Sequence, residues 1–248
     1  MVKSTAVLQD RSDKIVLRQG AMVRRPRQPS SEAVHALLTH LAEVGFTEAP
    51  LPGRVSRRWE RQSYLVGVSG DDACRLVGTN KAAAQVGALL RRYHDAVEGW
   101  QPEITPTWFD GRTGTGGPGE LVCHGDPGPW NLVWRKRRLV GLIDWEYATV
   151  GTRRKDVAYA LHYLVPFRDR SYWQGVLGLE RRPRRRERMQ AFADGYGMTL
   201  DDALVDAVLE SQEAGVRMML DQAARGHPRY RRLVTDGGLQ RELMAMRW

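Results

Sequence analysis

A chain of 248 residues can bury a full core, as one large domain or two lobes, and its balance of 38 basic against 29 acidic side chains leaves a net charge of +9. Two cysteines, Cys74 and Cys123, supply neither a disulfide framework nor a cysteine-based zinc site. No apolar run nears the roughly 18 residues of a membrane span, and the opening MVKSTAVLQDRSDK lacks the apolar stretch of a secretion signal, so a cytoplasmic protein without a membrane partner is expected.

The net charge raises nucleic acid as a partner, but the basic clusters at 135–138, 153–155 and 181–188 flank predicted elements and are not interleaved with aromatics as a base-stacking surface would be. They read as solvated faces, and no nucleic-acid partner is expected.

In chain order, AVLQD, KIVLRQ and AMVRRP alternate as three short strands joined by polar residues and a turn at Gly20. Ser30, Ser31 and Glu32 give a helix-capping signal, after which Val34, Leu37, Leu38, Leu41 and Val44 recur at helical spacing up to Gly45. RVSRRWERQ and SYLVGVSG read as two further strands. From Asn80 the pattern turns helical, with Val86, Leu89, Leu90, Tyr93 and Val97 on one face. A boundary at residues 68–72 therefore divides an N-terminal lobe, residues 1–70, from a C-terminal lobe, residues 71–248. Later helices are expected over RKDVAYALHYLV, ERMQAFADGYG and the long segment after Met198, the last opened by Thr199 and Asp202 as a capping box. The glycine-rich GRTGTGGPGE before the central motif lacks the Gly-Lys-Ser/Thr ending of a phosphate loop and reads as a surface loop.

The informative stretch is LVCHGDPGPWNLVW, residues 121–134. Two short apolar strands bracket a Pro/Gly-stiffened turn, and after RKRR a third strand, LVGLIDWE, ends in acids. Asp126, Asn131 and Asp144 can thus face one point. Two carboxylates and an amide oxygen are hard ligands suited to Mg²⁺ shared with substrate phosphates, leaving one carboxylate to orient a hydroxyl. Singly, each residue reads as a turn former, a cap or a strand end; their order and spacing together point to catalysis. A metal hydrolase built on His124 is disfavoured, because no second histidine sits at ligand spacing. His35, His40, His94, His162 and His227 read as packing or surface residues.

The same spacing carries a resemblance. His124-Gly125-Asp126, four residues, then Asn131 resembles the H-x-D-x-x-x-x-N loop of protein-kinase-like phosphotransferases, and Ile143-Asp144-Trp145-Glu146 resembles its magnesium-binding partner. The glycine after His124 and the Asp-Trp-Glu form are closest to the aminoglycoside phosphotransferase family, which includes choline, homoserine and other small-molecule kinases. The resemblance implies an α+β, two-lobed protein-kinase-like fold: a small N-terminal β-sheet lobe carrying one helix and binding nucleotide, then a larger, mainly helical lobe for catalysis and substrate. It further implies Asp126 as the general base, His124 as a brace of the loop, Asn131 and Asp144 as magnesium ligands, and Asp156 as a support of the loop backbone. Tyr64, Leu65 and Val66, in a strand running to Val68, would meet the adenine. ATP is the implied donor, with GTP as the alternative, and a small-molecule hydroxyl is the acceptor.

The chain departs from that family where the phosphates should be held. The third strand offers Arg24 or Arg25 in place of lysine, and the following helix has Glu32 in its first turn, His35 centrally and Glu43 near its end. No G-x-G-x-x-G loop precedes them. A weak or inactive nucleotide-binding protein is therefore the alternative reading. For the acceptor, Asp194, Asp201, Asp202, Asp206, Glu210, Glu213 and Asp221 face one base, Arg217, between residues 190 and 222. Such a surface would draw a cationic aminoglycoside or amino-alcohol to Asp194, Glu210 and Glu213, although the spacing is first of all that of a solvated helix. Trp248 either lines the acceptor site, as the terminus can in this family, or caps the helical core.

Overall fold

The computed structural model describes residues 5–11 and 14–246, so the reading of Trp248 lies outside the described residues. The chain forms two compact units. The first gathers the N-terminal segment through Val68 with Arg91–Pro127 and Asn131–Arg153; the second gathers Ser69–Leu90, Gly128–Trp130 and the chain from Arg154 onward.

In the first unit, β1 (Thr5–Arg11), β2 (Lys14–Gln19), β3 (Met22–Pro26), β4 (Pro52–Val55) and β5 (Trp59–Ser63) build an antiparallel sheet in the order β1-β2-β3-β5-β4. The three N-terminal strands lie where alternation puts them. Helix α1 (Ser31–Glu43) buries the apolar stripe Val34, Leu37, Leu38 and Leu41, as its 3.6-residue period requires. Its capping differs from expectation: Ser30 holds the cap position without a side-chain bond, while Ser31 Oγ accepts from the Gln28 N–H at 2.8 Å.

The next two expected strands are redrawn. RVSRRWERQ breaks into β4 and β5 because Ser56 folds back on Trp59, its N–H and Oγ both donating to the Trp59 carbonyl at 2.8 Å. SYLVGVSG is not a strand. Ser63 already pairs with Met22, the first residue of β3, so the chain beyond runs out of partner; Tyr64 still donates to Ala21, and then only Val68 makes a bridge, to Trp134.

Helix α2 (Asp71–Cys74) and most of α3 (Asn80–Val97) belong to the second unit, α3 entering the first unit from Arg91. There its Tyr93 donates to the Val122 carbonyl at 2.6 Å and packs edge-on against Trp145. Strand β6 (Leu121–Cys123) pairs with the unforeseen β9 (Thr149–Gly151), and β7 (Leu132–Arg135) with β8 (Arg138–Leu142). Lys136 and Arg137 turn the β7–β8 hairpin with φ of 50° and 61°. Both positive values are what a two-residue hairpin turn of matching twist demands.

The second unit is helical: α4 (Arg153–Leu164), a π-helical turn at Ser171–Val176, α5 (Arg185–Tyr196), α6 (Asp202–Ala224), α7 (Pro228–Thr235) and α8 (Gly238–Ala245). The first residue of α4 falls on the other side of the division. Helices α7 and α8 are too short and polar to announce themselves by periodicity. The cap of α6 is Asp201, whose carboxylate accepts the Leu204 N–H at 2.8 Å, and the expected Thr199–Asp202 box is not used. Helices α3 and α5 cross at their glycines. A Cβ on Gly87 would stand 2.2 Å from the Phe192 carbonyl, and one on Gly195 2.1 Å from that of Ala84. Among the described residues no helix is long and apolar enough to cross a membrane.

One member of the basic run 181–188 is not solvated. Arg188 is buried on α5 with no carboxylate partner among the described residues, and its guanidinium donates to the carbonyls of Leu164, Val77 and Gly78 at 2.6–3.1 Å. Burial lowers its pKa to about 10, so it stays charged at neutral pH. Replacing it strands several buried carbonyls at once, each worth about 1–3 kcal/mol. Arg188→Met is expected to lower unfolding stability by about 3 kcal/mol or more, read as a fall in the urea midpoint.

Candidate active site

The motif residues His124, Asp126, Asn131 and Asp144 all belong to the first unit. The turn after β6 carries His124 and Asp126, a short 3₁₀ turn at Pro129–Asn131 leads into β7, and β8 delivers Asp144. Register does the rest, because the Ile143 N–H donates to the Asn131 carbonyl at 2.9 Å and so sets Asp144 one residue beyond the position opposite Asn131. The Asn131 amide donates to the Asp126 carboxylate at 2.9 Å and to the Asp126 carbonyl at 2.8 Å, closing the loop on itself.

His124 ties the two motifs. It is buried against Trp145, with Nε2 3.1 Å from the Ile143 carbonyl and Nδ1 accepting the Asp126 N–H at 3.2 Å. Both contacts are met by the tautomer protonated on Nε2. Gly125 sits between them with φ +82°, and a Cβ there would fall 2.0 Å from the Tyr147 carbonyl. The glycine is thus required twice, by its dihedral and by its neighbour.

Asp144 is itself left-handed, with φ 66° and ψ 60°, a conformation a non-glycine residue keeps only when its surroundings enforce it. Its carboxylate meets two cations. Arg25 Nη1 approaches Oδ1 at 2.7 Å, and Lys14 Nζ lies 3.1 Å from Oδ1 and 3.3 Å from Oδ2. Lys14 also reaches Glu146 at 2.8 Å. Burial alone would raise the Asp144 carboxyl; the charges of Lys14 and Arg25 outweigh it and hold it below the usual carboxylate range.

Of the two arginines on β3, only Arg25 enters this group. Alternation sends Arg24 to the opposite face, where it stacks on Trp59 at 3.9 Å. Arg25 is buried and pairs through Nε with Glu60, the residue directly opposite it on β5. Its acid partner therefore comes from the sheet and not from α1, where Glu32 is exposed and bound to Arg27. His35, also buried, stands 3.6 Å from the second oxygen of Glu60, and burial lowers its pKa. Sequence reasoning missed Lys14, Glu60 and Glu146. Glu146 was legible two residues beyond Asp144, whereas Lys14 and Glu60 are brought in by strand pairing alone.

The other expected residues take simpler places. Tyr64 is stacked by Arg18 at 3.9 Å, and the backbone groups of Leu65, Val66 and Gly67 have no hydrogen-bond partner among the described residues. Asp156 is buried in the first turn of α4. Asp194, Glu210 and Glu213 are exposed; Asp194 accepts from Gln190 and Glu213 pairs with Arg217 one helical turn on.

The donors present fit a phosphate-bound Mg²⁺. Among the described residues no cluster of three or more His, Cys, Asp or Glu could hold a metal alone, while the Asn131 amide oxygen and the Asp144 carboxylate are hard donors that would leave an ion's remaining positions to phosphate and water. Arg25 and Lys14 place two cations beside the Asp144 carboxylate.

A small antiparallel sheet with one helix, a braced His-Asp-Asn loop and an aspartate from the following hairpin define a phosphotransferase of protein-kinase-like fold. Solved structures share it: the amicoumacin kinase hAmiN in complex with AMP-PNP and Ca²⁺ matches with a TM-score of 0.64 at 14% identity, covering 94% of this chain and 88% of that one. A choline/ethanolamine kinase family protein from Mesorhizobium loti matches with a TM-score of 0.59 at 17% identity, covering 96% and 86%. The model of the phosphotransferase enzyme family matches residues 97–197, and the trifolitoxin immunity protein of Rhizobium leguminosarum bv. trifolii is 32% identical over 215 residues, 81% of each chain. The chain belongs to the phosphotransferase enzyme family.

Two outcomes follow from the site's construction. Gly125→Ala is expected to cost about 2–4 kcal/mol of stability, combining backbone strain with the clash on Tyr147, measured by thermal unfolding. Arg25→Leu leaves Glu60 buried without its arginine and should cost about 3–5 kcal/mol, most of which returns when Glu60→Leu is added; a double-mutant cycle in urea reads the recovery.

Proposed function

We propose that this protein transfers the γ-phosphoryl group of a nucleoside triphosphate, ATP first and GTP as the alternative, to a hydroxyl of a small molecule. The observation that carries the reading is the Asp126–Asn131 hydrogen bond in a loop whose backbone is bonded to the strand end bearing Asp144. This supports Asp126 as the group that aligns the acceptor hydroxyl. The hydroxyl oxygen forms the new bond to phosphorus as the bond to the β-phosphate oxygen breaks, its proton passes to Asp126, and the nucleoside diphosphate leaves.

Asn131 and Asp144 would hold Mg²⁺, which supplies charge neutralisation on the phosphates. Arg25, fixed by Glu60, contributes a further positive charge on the same side of the sheet. The uncommitted backbone of Leu65 and Val66 supports contact with the base, since nucleotide edges are read by such groups. His124 braces the loop, and the buried Asp156 supports it in the same reading. Nucleotide on the segment through residue 70 and acceptor on the helical segment after it belong to the same proposal.

For the acceptor, the Rhizobium relative's name as a toxin immunity protein and the kanamycin bound in a solved structure of similar fold, at 12% identity, support an antibacterial compound, of the aminoglycoside type or another amino-alcohol. A second reading, nucleotide binding without turnover, is favoured by the arginine at the third-strand position, because a guanidinium fork and an ammonium hold phosphate differently.

The test is magnesium-dependent consumption of ATP and GTP with a panel of amino-sugar antibiotics, amino-alcohols and trifolitoxin, with product mass determined. Wild type is expected to add one phosphoryl group to an acceptor, and Asp126→Asn to lose at least about a thousandfold in turnover with the fold intact by circular dichroism. Undiminished transfer by that variant removes Asp126 from the reaction; nucleotide binding with no product on any acceptor moves the assignment to the second reading.

A further inference from the structure

Five charges, Arg25, Lys14, Glu60, Asp144 and Glu146, are linked by ion pairs in the first unit, and the two cations are anchored unequally. Arg25 cannot leave: its side chain is only 6% exposed, Nε is committed to Glu60, which is fully buried, and the two residues are cross-strand neighbours in register. Withdrawing it would abandon a buried carboxylate. Lys14 has no such anchor. It stands at the first position of β2, and the hydrogen bonds and ion pairs of its side chain among the described residues are all with Asp144 and Glu146. A single ammonium on a four-carbon stem keeps its partners by charge alone and exchanges them readily.

One of those partners is the carboxylate that a metal–nucleotide complex requires. A divalent ion brought to Asp144 would face two cations already within hydrogen-bonding distance of it, and one must yield. Arg25 is held by Glu60; Lys14 is not. The arriving triphosphate carries the negative charge that Lys14 would then follow.

Resting on the phosphotransferase reading above, we infer that the grip on the nucleotide phosphates is divided between two cations on adjacent strands. Arg25 is the fixed one, and Lys14 of β2 is the exchangeable one, neutralising Asp144 and Glu146 in the absence of nucleotide and moving onto the phosphates when nucleotide and metal bind. The charge that a third-strand lysine would have provided thus enters from the second strand. Its loss has two opposite consequences, weaker nucleotide and tighter metal in the absence of nucleotide.

The experiment compares wild type, Lys14→Met and Lys14→Arg by calorimetric titration with Mg·ATP and with adenosine, and by electron paramagnetic resonance titration with Mn²⁺ alone. Lys14→Met is expected to bind Mg·ATP about tenfold or more weakly, to bind adenosine as wild type does, and to bind Mn²⁺ several-fold more tightly; Lys14→Arg should keep most of the Mg·ATP affinity. Wild-type affinity for Mg·ATP in Lys14→Met, or an equal loss for adenosine, would show Lys14 to be a structural ion pair and overturn the inference. Should wild type bind neither Mg·ATP nor adenosine, the phosphotransferase reading itself fails and takes this inference with it.

Discussion

The ion pair between Arg25 and Glu60 fixes the first unit's chemistry in place. A carboxylate that is fully buried needs a charged partner within the sheet, and the antiparallel register of β3 and β5 puts one directly across from it. With Nε spent on Glu60, the remaining edge of the guanidinium points at Asp144. The same side chain therefore neutralises a structural acid and presents positive charge to a chemical one. Removing charge from any one of these groups changes the balance felt by the others, because all lie in surroundings where screening by water is weak.

The loop opposite is held by different means. His124 contacts the backbone on both sides of it, Trp145 packs the ring, and Gly125 lets the chain pass against Tyr147. Asp144 keeps a left-handed backbone one residue beyond the Ile143–Asn131 bond. Such conformations persist where neighbouring hydrogen bonds and packing leave no alternative, which is a way to hold a carboxylate in one direction before any ligand arrives. The second unit relies instead on glycine-mediated helix crossing and on buried polar groups satisfied by backbone or by other side chains, with Arg188 on three carbonyls and the His162 ring between the side chains of Gln212 and Arg168. Burial and the nearby Arg168 push His162 down to about 3, so that ring stays uncharged at neutral pH.

Placing this chain in a family of phosphotransferases sharpens its departures from it. The third-strand cation is an arginine, its acid comes from β5 in place of α1, and a second cation comes from β2. These are three linked changes. An arginine in the sheet can bridge two carboxylates with one planar group, and once it has done so the helix glutamate is free to face solvent, as Glu32 does.

Much of this was written locally. Alternation and helical period placed β1 to β3, α1 and α3 to α6, since hydrophobic spacing reports which face is buried. The order and spacing of His124, Asp126, Asn131 and Asp144 announced the site, because a loop between two strands leaves few ways to arrange four polar residues. The tertiary structure decided what depends on pairing between distant segments. It chose Arg25 over Arg24 by strand face, recruited Glu60 and Lys14 by register, ended the sheet at Ser63 where β3 offered no further partner, and buried Arg188 within a run that reads as solvated. A sequence fixes each residue's local period; which charge stands opposite which is set only when strands more than thirty positions apart come into register.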